Sequence, residues 1–375
     1  MITKEATLKS RYVFKLAANV VNGLVNIAIV AIVPKALGAV NYGVFTYLQQ
    51  FYLQILGFLD AGSSIAFFTK LSANRDRREL ITFYGIISIF LLGLVVCFTG
   101  LLKFTHLGER ILPEIPKEFF FLGMILGYLI WLIQVMVKIA DAYALTKSVE
   151  TIKIVHRIGS FALLIIIIAC IKFNLTIFYF YQLLISFIFI VLSFIILVNR
   201  GIINKSLWKK LPFRNLCREF TEFITPLFAY NVLAGLIGVF DLWLLQEYFG
   251  SAETGYYGLA FQIAAMCFIF TSAMTPVITR EFAKSYAEKD IPAMGRLFSR
   301  YIPMLYSIAS FLGIFITFHS SALISVISGE GFDSALGVVA VMGFYPIHQT
   351  YGQLSGSIFM PPEKPGSLKI LVWLF

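Results

Sequence analysis

Ten apolar runs of bilayer-crossing length dominate this chain and leave it few ways to fold. They lie at about 12–33, 44–67, 81–103, 119–143, 155–172, 176–198, 222–248, 256–279, 300–326 and 335–359. A helix needs ~20 residues to cross ~30 Å of hydrocarbon, so each run is one candidate span. An eleventh begins at about 367 and is cut off at Phe375. In lipid, each segment has to satisfy its own backbone polar groups, which makes helices the default. A spanning strand would alternate apolar and polar positions, and LLIIIIACI at 163–171 does not. The chain is 59% hydrophobic and only 13% charged, where soluble domains carry about 25% charged residues. The expected fold class is therefore all-α: a polytopic membrane protein.

The charges test this count of spans. Of the 30 lysines and arginines, 25 fall in or beside alternate links and ends: around the start of the first span, and around the links that follow the second, fourth, sixth, eighth and tenth. The other links hold only Lys35, Lys103, Arg110, Lys117 and Lys172. By the positive-inside bias the richer side is the cytoplasm, with the N-terminus inside. The net charge of +10 then has a topological origin, and nucleic acid is not an expected partner. Cys97, Cys170, Cys217 and Cys267 show no CxxC spacing, so neither a disulfide framework nor a zinc site is expected. The first apolar run lacks a small-residue cleavage site and should remain as an anchor.

One pattern occurs twice. Leu37-Gly38, then Tyr42-Gly43, leads into an apolar helix and a basic loop at Lys70 to Arg78. Near residue 249, Phe249-Gly250 is followed by SAETGYYGLA, another apolar run and basic residues from Arg280 to Arg296. The interval is far too long for a solenoid and fits two homologous halves, as in transporters built from parallel repeats. The boundaries expected are a first transmembrane half at 1–199, a cytoplasmic linker at 200–221 and a second half at 222–375. Six plus six helices would make the parent fold, so the second bundle is read as incomplete: ten full spans plus part of an eleventh.

Polar side chains at membrane depth are costly and usually face a cavity or another helix. Lys15, Asn19, Asn22 and Asn26 fall on one stripe of the first span, at i, i+4, i+7 and i+11. Gln134, Lys138 and Asp141 repeat that spacing in the fourth span, and Lys138 and Asp141 are close enough to pair. Gln50 and Gln54 share a face of the second span, Asn231 and Asp241 one of the seventh, and Gln349 and Gln353 one of the tenth. These residues are the expected lining of a hydrated cavity between the halves. The lysines would attract an anionic headgroup and the amides would bond hydroxyls. The competing reading is that the amides bind helices together and that Lys15 snorkels to the interface. Asp60 sits low in the second span beside Ala61-Gly62, placed for either packing or the cavity.

No P-loop, nucleophile elbow, H-E-x-x-H motif or Cys/His metal pattern is present. No catalytic residue, metal or cofactor is expected, and the chain is not read as an enzyme. LG-x-x-x-YG-x-F, then a helix ending in D-x-G-x-x-x-A-x-x-x-K, resembles the Wzx-type polysaccharide flippases of bacteria. The positions carrying the likeness are Leu37, Gly38, Tyr42, Gly43, Gly62, Asp241, Gly250, Gly255 and Tyr256. Its motifs are shared with the wider superfamily of multidrug exporters and lipid II flippases, and Leu242-Trp243 stands where relatives often place a basic residue after the aspartate.

The resemblance implies a flippase of the bacterial inner membrane that moves undecaprenyl-pyrophosphate-linked oligosaccharide to the periplasmic leaflet by alternating access. Its partners would be the lipid-linked oligosaccharide, membrane lipids, a polysaccharide polymerase and a chain-length regulator. Asp60, Asp141 and Asp241 are the candidate ion-coupling carboxylates. A multidrug or ion antiporter of the same fold is the alternative, and a membrane enzyme of polysaccharide assembly is a more distant one.

Overall fold

A computed structural model describes residues 8–143, 145–203, 211–267, 290–327 and 331–359, with the isolated positions 275, 278, 282 and 285. Within these, the side chains of 8–16, 73, 146–147, 226–227, 229–231, 234 and 353–359 lie outside the described set. The described residues contain helices and no strand. The chain is a polytopic helical membrane protein. In order, the helices are α1 (Leu8–Asp60), α2 (Ser63–Ala73), α3 (Glu79–Phe104), α4 (Leu107–Ile111), α5 (Phe119–Ala142), α6 (Thr146–Cys170) and α7 (Leu175–Asn199). They continue with α8 (Phe213–Ala265), α9 (Ile291–Phe318), α10 (Ser320–Ile327), α11 (Leu336–Met342) and α12 (Tyr345–Phe359). Six of these helices are long and apolar enough to cross a membrane.

α1 and α8 each cover two of the expected spans, and each is broken once. Gly38 sits at φ 76, ψ 163 and Gly250 at φ 81, ψ −176, a region of the backbone map open essentially to glycine alone. The motif glycines of the repeated pattern thus carry the same backbone reversal, 212 positions apart. In α1, Pro34 removes a helical donor one turn before the break. In α8 the reversal is held from outside by Glu114, whose carboxylate accepts the Ser251 N–H at 3.1 Å. A Cβ on Gly250 would lie 2.7 Å from Glu114 Oε2, whereas one on Gly38 would meet nothing within 4 Å.

The second expected span, 44–67, is also interrupted. Left-handed Ala61 (φ 47) and Gly62 (φ 88) end α1 and start α2 afresh at Ser63. The ninth and tenth spans divide as well, at His319 and at Gly343-Phe344. Hydropathy alone cannot register a one-residue break, because the apolar run continues through it.

Among the described residues the chain forms two compact units, one within Gly43–Thr254 and one within Ala6–Tyr42 and Gly255–Phe375. They meet along the chain inside α1 and α8, four residues after each glycine break. In the first unit α5 packs against α7, α3 and α2. Gly123 and Gly127 of α5 let it approach α1, since a Cβ there would lie 3.0 Å from Leu48 and 2.7 Å from Tyr52. Small residues at i and i+4 are the usual means of close helix approach in lipid, where apolar burial gives no driving force. α7 shows the matching inside-out pattern. Phe178, Tyr181, Ile185 and Phe189 are buried while Phe180, Phe187 and Ile195 face outward, as a lipid-facing stripe requires.

In the second unit, buried Phe332 takes the edges of Tyr42 and Tyr256 at centroid distances of 6.4 and 5.6 Å. α9 packs against α12 and α11, and Thr317 donates to Ala340 O at 2.9 Å.

Alanine at either break position should lower stability through backbone strain of about 1–3 kcal/mol. Gly250→Ala should cost more than Gly38→Ala, because only the former also displaces Glu114. Thermal unfolding of the detergent-purified variants measures both, and equal losses would remove the Glu114 contribution.

Candidate functional site

A dense polar arrangement in the first unit grows from the break at Asp60. The reversal at Ala61-Gly62 folds the start of α2 back onto the last side chain of α1. Asp60, only 8% exposed, accepts four bonds there. Ser63 Oγ (2.6 Å), Tyr84 OH (2.7 Å) and the Ser64 backbone N–H (3.1 Å) donate to Oδ1, and Ser64 Oγ donates to Oδ2 at 2.7 Å. A carboxylate at a helix N-terminus also complements the helix dipole. From α5, half-buried Lys138 donates to Ser64 Oγ at 2.6 Å. One serine hydroxyl therefore stands between a buried carboxylate and an ammonium group. Tyr84 is fixed by stacking on Phe67 at 4.4 Å and by contacts with Trp131 and Phe220.

The cluster lies about four or five residues in from the ends of α3 and α5 that carry the basic loops, roughly 6–8 Å along each helix. At that end a second set of charges joins α2 to α8. Glu219 takes a forked bond from Arg77, at 2.8 Å to each oxygen, and a third from Lys70 at 3.0 Å. Arg77 also reaches Glu79 at 3.1 Å, and Arg78 donates to Gly201 O at 2.8 Å. The Arg77 hydrogen bonds, with Lys70 beside them, hold the Glu219 carboxyl down at about 2, below the ordinary glutamate value of 4.5.

At the other end of the unit the last residues of α4 and the segment after it are fastened by side chains from two helices. Tyr47 donates to Ile111 O at 2.7 Å, Trp243 to Arg110 O at 2.7 Å and Gln246 to Pro113 O at 3.0 Å.

The expected lining residues are scattered over several places. Asp60 and Lys138 are brought together through Ser64. Gln54 rests its amide on Gly238, where a Cβ would come within 2.8 Å, so this glycine is a seat for the glutamine. In the second unit, Asn26 donates to Gln262 Oε1 at 3.5 Å, with half-buried Asn19 and Asn22 on the same helix. Gln50, Asp141 and Gln349 are half-buried, and Gln134 and Asp241 are exposed. The side chains of Lys15, Asn231 and Gln353 lie outside the described residues.

Ser63, Ser64 and Tyr84 were not anticipated. Part of the signal for the serines was present, since an aspartate, a glycine and two serines are residue types that turn the chain and start helices. Tyr84 is distant in sequence, and only packing places it. Gln262, Glu114 and Glu219 were missed for the same reason. No group of three or more potential metal ligands occurs among the described residues.

No protein-family model matches the chain, and no curated protein sequence matches it. Solved structures do. One described as the inward-facing conformation of a multidrug resistance MATE family transporter of the MOP superfamily aligns with 100% of this chain and 85% of its own, at TM-score 0.59 and 13% identity. A second, described as the outward-facing conformation of such a transporter, aligns with 96% of this chain and 88% of its own, at TM-score 0.56 and 16% identity. A third, described as MATE in complex with MaD3S, covers 97% of this chain and 83% of its own, at TM-score 0.55 and 14% identity. The fold is that of MATE transporters.

Because the Glu219 carboxyl is lowered, its contribution to stability is complete above pH 4.5 and is lost as the pH falls through about 2. The group is a third exposed, so solvent screening reduces the effect. Glu219→Gln should unfold at a lower temperature than the parent near neutral pH, and the gap should narrow below pH 4.5. A gap independent of pH would mean that the carboxylate charge does not hold this contact.

Proposed function

We propose that the chain is a flippase that moves a lipid-linked oligosaccharide, carried on undecaprenyl pyrophosphate, across the bacterial inner membrane by alternating access. The two sequence halves, 1–199 and 222–375 joined by the 200–221 linker, would serve as the two parts of one transporter. The observation that carries the substrate reading is the ammonium of Lys138, held within a span beside serine and tyrosine hydroxyls. A sugar-pyrophosphate headgroup cannot shed its water into hydrocarbon. Donors of this kind replace that water, and the lipid tail has no need to leave the bilayer. Lys138 is assigned to the pyrophosphate, together with Lys15. The amides Asn19, Asn22, Asn26, Gln50, Gln54, Gln134, Asn231, Gln349 and Gln353 are assigned to sugar hydroxyls, and Asp60, Asp141 and Asp241 to ion coupling. The N-terminus is placed in the cytoplasm on the charge bias.

Extrusion of cationic drugs is the second reading, favoured by the description of the matched structures as multidrug transporters. A cationic substrate would be repelled by Lys138 and drawn to an open carboxylate, whereas Asp60 is enclosed by four donors.

Proteoliposomes separate the two readings. The chain should translocate an undecaprenyl-pyrophosphate-linked oligosaccharide, scored by protection from added glycosidase. Lys138→Ala should slow this about tenfold or more, since a charge-assisted bond contributes about 1.5–3 kcal/mol. Transport of a cationic dye with no movement of the glycolipid would overturn the proposal in favour of the drug reading.

A further inference from the structure

The place where the first unit would receive an anion already holds one. Two left-handed residues, Ala61 and Gly62, aim the start of α2 at Asp60. The carboxylate there collects a helix N–H, two serine hydroxyls and a tyrosine hydroxyl, with the Lys138 ammonium one hydroxyl away. Helix-terminal N–H groups, hydroxyls and an ammonium are the donor types that bind phosphate. Asp60 is tethered next to this donor set and neutralises it from within.

We infer that Asp60 and a phosphate-bearing headgroup compete for Lys138 and Ser64, and that the headgroup binds with uptake of a proton by Asp60. This rests on the reading of Lys138 as the headgroup residue. With Asp60 ionised, an arriving phosphate meets a negative charge one hydroxyl beyond the ammonium, at short range and in a medium of low dielectric. A proton from water converts the carboxylate to the neutral acid. Lys138 keeps its charge and turns to the phosphate, and Ser64 Oγ can donate to a phosphate oxygen instead of to Oδ2. No covalent bond other than the carboxyl O–H forms.

The groups facing Asp60 are Ser63 and Ser64 from α2, Tyr84 from α3 and Lys138 from α5. α8 contributes the ring of Phe220 against Tyr84. Farther toward the basic loops, Lys70, Arg77, Glu79 and Glu219 are engaged with one another, and Asp141 lies one turn beyond Lys138 on α5.

Binding of inorganic pyrophosphate to the full chain in nanodiscs tests this. Calorimetry in buffers of different ionisation enthalpy gives both affinity and protons exchanged. Asp60→Asn should bind about tenfold more tightly than the parent at the same pH, and should take up about one proton fewer per pyrophosphate. Comparison at equal pH cancels the titration of the probe itself. Tyr84→Phe, which removes one donor to the carboxylate but keeps the ring, should tighten binding in the same direction by a smaller factor, and it serves if Asp60→Asn does not fold. Equal affinity and equal proton uptake in the parent and Asp60→Asn, or weaker or unchanged binding in Tyr84→Phe, would overturn the competition. If Lys138→Gln still weakens binding in that case, the headgroup reading survives alone. If Lys138→Gln binds like the parent, Lys138 does not receive the anion, and the competition falls with it.

Discussion

An ammonium group inside a membrane helix has to be neutralised or moved to water, and Lys138 is neutralised by Asp60 through one hydroxyl. Much of the first unit follows from meeting that requirement. The carboxylate can be linked to the lysine through Ser64 because α1 stops at Asp60 and the chain reverses at Ala61-Gly62. The reversal in turn presents the Ser64 N–H and hydroxyl to both carboxylate oxygens. Tyr84 supplies the last donor, and its ring is locked by Phe67 and Phe220. Removing one member of such a network leaves the others with unmet polar groups in a medium that offers no replacement. The helix interruption and the serine-bridged charges are thus one feature.

Away from this cluster the structure uses backbone reversals at repeated places. Gly38 and Gly250 break two long helices in the same way, but their surroundings differ. Gly250 is held by Glu114 and by the fastened segment after α4, while Gly38 has open space around it. The repeat conserves the conformation of the break and varies what stabilises it. The same division of labour runs through the helix contacts, where Gly123 and Gly127 admit α1, and Gly238 admits the Gln54 amide.

The helical membrane fold was legible in the sequence because hydrophobic length is a direct physical requirement of the bilayer. Gly38 and Gly250 were legible too, since the repeated pattern marks them and the backbone at both breaks demands glycine. The breaks at Asp60, His319 and Gly343 were not, because hydropathy averages across a single interrupted turn. Asp60 and Lys138 were each visible as polar residues at depth, yet their link was hidden: Lys138 is spaced along α5 to suggest Asp141, while its bond in the structure goes to a serine 74 positions away. Helical spacing reports which residues share a face, and only tertiary packing decides what that face meets. Tyr84, Gln262, Glu114 and Glu219 belong to that second kind of information.

Asp60 and Lys138 act as one electrically neutral unit, and a double-mutant cycle on unfolding free energy measures their coupling directly. Asp60→Asn and Lys138→Met each leave the other charge uncompensated inside the bundle, a loss of about 3 kcal/mol for a buried pair. The double variant should therefore lose less than the sum of the two single losses, by about 1.5–3 kcal/mol. Losses that add to within about 0.5 kcal/mol would show that the two charges do not sense each other, and would contradict the account.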